Sequence, residues 1–463
     1  MDLLTSIRES RMTRFQVVSV AVALSLFFVD GLDVAVMAYV APALSREWET
    51  GPVVLGYLLS AGLVGMAAGS FFLTPLADRI GRRRLTLISL TVATVGTALC
   101  AVAGDVAQLI TFRVLTGIGV GGMMANLNVL VSEYSSNRRR GTIIGLYSAG
   151  YPIGATLGGL AAAVLIPAFG WHAVFVFAAT LSLVLLGVSL RWLPESLDYL
   201  LTRRPRNALA RVNAILVKMR REPISALPDL PGVEGTASPL REVFTGAVGV
   251  RTVLMWLGYS MLMGAYYFAN TWTPKIMSGA TGDDEFGVQI GVLFNVGGIA
   301  GCFLFGALAT RFRSLRILIG GLIIATLSFA AFGSSIGAAG LAAAIAVVMG
   351  AVTAGSVSGF YAVTPGLYSA RARSTGMGLA IGVGRVVSII APVVVGYLLG
   401  GGLTPQTLFF VFVGPLLAAV LATIALGVSE RRHPAATLMV DRAGEPRTSS
   451  SVPAEQEPVA DRR

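Results

Sequence analysis

Three long stretches of this chain contain no Asp, Glu, Lys or Arg: Thr142 to Leu190, Ile317 to Ala370, and Val386 to Ser429. Each is long enough for two lipid-spanning helices at ~20 residues per span. A soluble surface cannot be built from such sequence. The composition agrees, with 55% hydrophobic and 13% charged residues, where soluble domains carry roughly 25% charged side chains. The chain is read as an integral membrane protein, and a soluble metabolic enzyme or nucleic-acid binder is excluded. Lipid-exposed backbone must satisfy its own hydrogen bonds, so the fold class is all-α.

Apolar stretches broken by Gly, Pro or charge predict twelve spans, near residues 15–40, 54–73, 85–103, 107–131, 143–166, 171–193, 249–272, 287–310, 316–334, 338–362, 375–399 and 407–428. Their Gly and Ala content suits close helix approach in a bundle. Arginines gather in alternate loops: Arg79, Arg82, Arg83 and Arg84; Arg138, Arg139 and Arg140; Arg311, Arg313 and Arg316; Arg371 and Arg373. The other loops hold only Arg46 and Lys275 beside several carboxylates. The positive-inside rule then places both termini in the cytoplasm of a multi-pass inner-membrane protein. The net charge of +11 is topogenic and implies no nucleic-acid partner. The polar start, with Arg8, Arg11 and Arg14, precedes a run too long for a cleaved signal peptide, so the first span is expected to be retained. Cys100 and Cys302 fall in apolar stretches without pairing or metal-ligand spacing and read as packed thiols.

The polar segment from Pro194 to Val248 divides the spans six and six. The expected organisation is a cytoplasmic segment 1–14, a six-helix bundle 15–193, a cytoplasmic central loop 194–248, a second six-helix bundle 249–428, and a Pro-, Ser- and charge-rich tail 429–463 without fixed structure. An internal repeat supports this division. Leu76-Ala77 and Arg79 recur as Leu308-Ala309 and Arg311 at an offset of 232, and Arg140, Thr142, Gly145 and Leu146 recur as Arg373, Thr375, Gly378 and Leu379 at 233. Two pseudo-symmetric halves around a central cavity form a transporter architecture.

Charges inside spans carry the functional signal, since an ionised side chain there costs at least ~2.5–3.5 kcal/mol. Span 1 contains Asp30-Gly31-Leu32-Asp33. A spacing of three puts both carboxylates on one helix face, where repulsion and poor solvation penalise the doubly ionised state. Such a pair can load a proton on one side and release it on the other, or be held ionised by arginines for purely structural reasons. Arg113 in span 4 and Arg385 in span 11 are the basic counterparts, able to hold those aspartates or a substrate carboxylate in a planar fork. Arg385 lies near mid-span, and its repeat-related position is Pro152, so the charge belongs to one half only. Glu133 ends span 4 beside a basic loop and reads as a conformational latch or a proton-handling group. Asn126, Asn128, Tyr147, Tyr151, Tyr266, Tyr267, Asn270, Trp272 and Asn295 could line a cavity for a flat ligand, with interface anchoring an equal reading for Trp272.

With these residues in view, the chain resembles a major facilitator superfamily transporter over essentially residues 15 to 430. The strongest mark is Leu76-Ala77-Asp78-Arg79-Ile80-Gly81-Arg82-Arg83-Arg84, the superfamily's signature loop, which here follows Thr74 where the pattern has Gly. The second-half copy keeps Gly306 and Arg311 but has Thr310 at the acidic position. Arg113 with Gly117, Gly119 and Gly121, and Pro194-Glu195-Ser196, support it. Within the superfamily, Asp30-Gly31-Leu32-Asp33, Ala41-Pro42-Ala43-Leu44, Glu133-Tyr134, Tyr151-Pro152-Ile153-Gly154 and Gly384-Arg385 followed by Pro392 are similar to the aromatic acid:proton symporter family. Span 5 lacks the Gly-Pro step of drug:proton antiporters.

The resemblance implies a monomeric importer of a hydroxybenzoate, gentisate, protocatechuate or benzoate with protons, by alternating access and without cofactor or metal. Proton coupling is expected of Asp30, Asp33 and Glu133. Substrate contact is expected of Arg385, Arg113, Asn126, Tyr151, Tyr266, Asn270 and Asn295, and gating of Asp78, Arg79, Gly81, Arg82 and Arg373. A symporter of another organic anion or of a sugar, and a non-transporting sensor of aromatic acids, are the competing readings. A membrane-embedded enzyme has no nucleophile–base pair or metal cluster to rest on, since His172 and His433 lie in a loop and the tail.

Overall fold

The protein is described by a computed structural model covering Ile7 and residues 9–136, 140–228, 239–369 and 372–432. All regular structure among these residues is helical. Twelve long helices follow in order: α1 Arg14–Glu47, α2 Pro52–Phe72, α3 Arg82–Cys100, α4 Val106–Tyr134, α5 Arg140–Phe169, α6 His172–Trp192, α7 Gly246–Thr281, α8 Asp284–Ala309, α9 Ser314–Ser335, α10 Ala339–Val363, α11 Arg373–Gly400 and α12 Pro405–Arg432. Eleven are long and apolar enough to cross a membrane. The twelfth, α3, falls short because it begins with Arg82, Arg83 and Arg84 and carries several Thr and Ser, yet it packs against α4 and α6 like a span. The fold is the expected twelve-helix arrangement.

Several helices overrun their expected apolar spans, most visibly α1 to Glu47 and α7 to Thr281. Backbone hydrogen bonding continues past the hydrocarbon wherever a cap can terminate it. Thr13 and Gln16 form a reciprocal capping box at the start of α1, and Gly282 ends α7 in the left-handed conformation. Arg138, Arg139 and Arg371, the stretch 229–238 and the tail beyond residue 432 lie outside the described residues.

The internal repeat reappears in the packing. A methyl group at Gly65 or Gly69 of α2 would lie 2.1 Å from a backbone oxygen of α4, that of Val114 or Ile118. Their equivalents at the offset of 232, Gly297 and Gly301 of α8, would meet the carbonyls of Val347 and Ala351 in α10 at 2.0 and 1.9 Å. Without a hydrophobic effect between helices, backbone-to-backbone contact of this kind is what holds a membrane bundle together.

The halves meet chiefly through α2 on α11, α5 on α8, and α1 on α7. The starts of α1, α7 and α9 lie with the ends of α4 and α12 on one face, tied by Gln16 to the Tyr134 carbonyl, Arg251 to the Ser429 carbonyl, and Arg313 to Glu430. Among the described residues, this terminal face carries Arg79, Arg82, Arg83 and Arg84 after α2 and Arg311, Arg313 and Arg316 after α8. Polar contacts joining the halves gather toward the opposite face: Arg46 with Asp284, Tyr57 with Tyr397 (2.8 Å), and Ser60 with the Ile389 carbonyl (2.7 Å).

The central segment, expected as a loop, contains short helices Leu197–Arg203, Ala208–Lys218 and Pro239–Phe244. Ser196 caps the first by accepting from the Tyr199 N–H, and Asn213 bonds both ways with Ile224 (2.9 and 3.0 Å). Its polarity reflects a surface position, while Leu197, Leu200, Val212 and Leu216 are buried.

Candidate functional site

Between the halves lies a cavity of about 150 Å³. Each wall is a one-sided stripe of a helix: Phe27 and Asp30 from α1, Met124 and Asn128 from α4, Tyr259, Met263 and Tyr266 from α7, Val357, Ser358 and Tyr361 from α10, and Ile381, Arg385 and Ser388 from α11. Tyr151 and Pro152 of α5, Tyr267 of α7, Cys302 of α8 and Ala354 of α10 complete it. Spacings of three, four and seven residues keep these side chains on one face.

The charges stand on opposite sides of the half-to-half boundary. Asp30 comes from the first half and Arg385 from the second, and no direct ion pair joins them among the described residues. One Asp30 carboxylate oxygen is buried without a hydrogen-bond partner. The Arg385 guanidinium approaches the Met66 thioether at 3.3 Å, a weak acceptor that leaves most of its fork uncommitted.

Around these charges stand five tyrosines. Tyr151, Tyr266 and Tyr267 form a triangle with centroids 5.7 to 6.4 Å apart. Tyr259 and Tyr361 share a hydroxyl–hydroxyl contact of 3.2 Å. Such rings offer faces and edges to a flat ligand and hydroxyls to its polar substituents.

Asp33 does not join Asp30, contrary to the expected pairing. Residues three apart differ by about 60° around a helix, enough to turn Asp33 toward α4, where Arg113 holds it at 2.5 Å and also bonds its backbone carbonyl at 3.0 Å. Both side chains are almost fully buried, at 3% and 1% exposure. Gly62 makes room, since a methyl group there would lie 2.7 Å from the guanidinium. Arg113 is thus placed away from the cavity. Asn126 is as well: its amide donates to the Gly122 carbonyl in its own helix (2.8 Å), and Asn128 faces the cavity instead.

Asn270 and Asn295 sit one layer beyond the cavity. Asn270 donates to the Tyr151 hydroxyl (2.7 Å), and Asn295 to the Asn270 side-chain oxygen (3.1 Å) and the Tyr39 hydroxyl (3.3 Å), so the chain of bonds crosses between halves. Trp272 is buried and donates to the Pro392 carbonyl (3.2 Å), so it is a packing residue of the second half and no interface anchor. The side chain of Tyr147 lies outside the described residues.

Glu133 is placed at the terminal face, in a knot with the signature loop. It takes Arg82 (2.9 Å), the Ser196 hydroxyl (2.8 Å) and the Leu197 N–H (2.9 Å). Arg82 also reaches Asp198 at 3.2 Å. Gly81 joins the short helix Thr74–Ile80 to α3 at φ 100°, where a methyl group would lie 2.6 Å from Glu195. Asp78 and Arg79 are exposed and form no ion pair among the described residues, and Arg373 is exposed and bonds the Pro365 carbonyl at 3.1 Å.

Comparison with known proteins shows the family. Residues 23–392 match the Major Facilitator Superfamily model. The chain is 30% identical to the 4-hydroxybenzoate transporter PcaK of Pseudomonas putida over 92% of its own length and 96% of the relative's. It is 33% identical to a gallate transporter of the same organism, over 88% and 91%, and 28% identical to a benzoate transport protein of Acinetobacter baylyi, over 92% of each.

Proposed function

This chain belongs to the major facilitator superfamily, which makes it a multi-pass membrane transporter and not an enzyme, and we propose that it imports a benzoate-type aromatic carboxylate together with protons by alternating access. The observation that carries this reading is the Arg385 guanidinium, free of any carboxylate among the described residues, in a tyrosine-walled cavity that Asp30 enters from the other half. A guanidinium fork binds a carboxylate bidentately, the tyrosine rings stack against an aromatic ring, and Asn128, Ser358 and the tyrosine hydroxyls suit ring hydroxyls. The names of the three relatives given above, transporters of 4-hydroxybenzoate, gallate and benzoate, support the same class.

Asp30 is the proposed proton carrier. Ionised, it competes with the substrate for Arg385 and repels the substrate's charge; protonated, it leaves Arg385 to the substrate. Proton and anion then favour each other's binding, and each shifts the conformational balance only by its differential affinity for the two states. Asp33, Arg113 and Glu133 act in holding helices. The positive-inside rule assigns the terminal face to the cytoplasm, and contacts toward the opposite face support reading this arrangement as the state closed to the outside.

Uptake of labelled 4-hydroxybenzoate and gentisate into proteoliposomes under an inward proton gradient tests the proposal. Concentrative uptake abolished by an uncoupler is expected. Uptake indifferent to the uncoupler would remove proton coupling, and no competition by any aromatic acid would remove the substrate class.

A further inference from the structure

At the terminal face a cleft of about 890 Å³ lies between the first turn of α1, the last turn of α6 and the helix Ala208–Lys218. Its charge is one-sided: Arg14, Arg83, Arg191, Arg211 and Lys218 line it against the single carboxylate of Glu195. That carboxylate is already engaged by the Arg83 backbone N–H (2.9 Å) and by Arg211 (3.4 Å). Arg83 is spent on the carbonyls of Leu193 and Leu190, at 2.7 and 2.6 Å. Arg14, Arg191 and Lys218 pair with no carboxylate among the described residues; Arg191 and Lys218 lie over the rings of Trp192 and Phe15 instead.

Exposed apolar surface adjoins the cleft on the sides of two spanning helices. Val18 on α1 and Leu190 and Trp192 on α6 are exposed, at the level where Trp marks the lipid interface. A free small anion would use the cations and ignore this surface. A lipid with an anionic head uses both.

We propose that this cleft binds the phosphodiester headgroup of an anionic phospholipid, its acyl chains lying over Val18 and Trp192, and that the bound lipid fastens the helix Ala208–Lys218 to α1 and α6. A basic pocket at the interface gains from each Lys or Arg roughly a factor of five in binding, so the three unpaired cations supply on the order of 100-fold. Neither the cavity nor its charge pair contributes a residue to this site.

The test uses the full chain in neutral detergent, titrated with phosphatidylglycerol, phosphatidylcholine and inorganic phosphate, with native mass spectrometry for bound lipid and thermal unfolding for stability. Phosphatidylglycerol is expected to bind at least about tenfold more tightly than phosphatidylcholine and to raise the unfolding midpoint. The triple variant Arg14→Gln, Arg191→Gln, Lys218→Gln should lose this preference and keep its affinity for 4-hydroxybenzoate. Equal phosphatidylglycerol binding by the triple variant and the unaltered protein would overturn the proposal. A midpoint shift reproduced by inorganic phosphate at the same concentration would overturn it too, revealing a site for free anions. Should the triple variant fail to fold, Arg191→Gln and Lys218→Gln, both at exposed side chains, are read singly for the roughly fivefold loss.

Discussion

Arg385 and Asp30 reach one cavity from different halves, so each can be removed without orphaning the other in an ion pair. Arg385→Gln deletes a charged hydrogen-bond donor worth about 1.5–3 kcal/mol, and binding of 4-hydroxybenzoate by calorimetry should weaken roughly 10- to 150-fold. For Asp30 the expected effect lies in pH dependence. In the unaltered protein the substrate Kd should rise with pH as Asp30 loses its proton. Asp30→Asn mimics the protonated carboxyl, so its Kd should be tight and flat with pH while uptake no longer follows the proton gradient. A pH-dependent Kd in that variant would place the coupling proton elsewhere. Asp33→Asn is different in kind: it leaves Arg113 buried without its counter-charge, at about 3–5 kcal/mol. Loss of folded protein on thermal unfolding is expected, with partial recovery when Arg113→Gln is added. That of two aspartates three residues apart one faces the cavity and the other an arginine of α4 was not legible in the chain, because a 60° difference matters only once the neighbouring helices are placed.

Among the helices, contact is decided by glycines facing backbone. Gly65→Ala and Gly301→Ala force a methyl group to within 2.1 and 1.9 Å of a carbonyl oxygen, and should each destabilise by about 1–3 kcal/mol. Gly306, also in α8, has open space around it; Gly306→Ala should be neutral or gain up to about 1 kcal/mol from helix propensity. Thermal unfolding of the three variants in one detergent separates the cases. The number and order of helices were readable from uncharged stretches, because lipid leaves the backbone no other solution. The ends were less so: α1 and α7 run well past their apolar cores, since helical hydrogen bonding continues through polar residues until a cap intervenes. The helices of the central segment are not legible in the chain because their apolar faces are short and interrupted by arginines.

For the whole molecule, the contacts that join the halves toward the opposite face are of two kinds and of unequal weight. The Arg46–Asp284 pair is exposed on its arginine side, and such pairs contribute about 0–1 kcal/mol. The Asn270, Asn295, Tyr39 and Tyr151 chain is buried, and breaking it strands polar groups at about 1–3 kcal/mol. Asp284→Asn should therefore change uptake only slightly, whereas Asn270→Leu should raise amide hydrogen exchange in the ends of α7 and the start of α8. Equal exchange in the two variants would show that the buried chain does not hold the halves together there. The chain by itself determined the membrane setting, the twelve helices, the repeat and the short list of charges, because lipid forbids exposed backbone and makes each buried charge costly. Only the tertiary structure decided which charges meet. In a uniformly apolar helix nothing local distinguishes the face turned to lipid from the face turned to the cavity. Tyr259 and Tyr361 are therefore not marked out by the chain, although Tyr259, Met263 and Tyr266 share a helical stripe, and packing turns Arg113 to Asp33 and Asn126 to its own helix, away from the cavity that the sequence predicts they line.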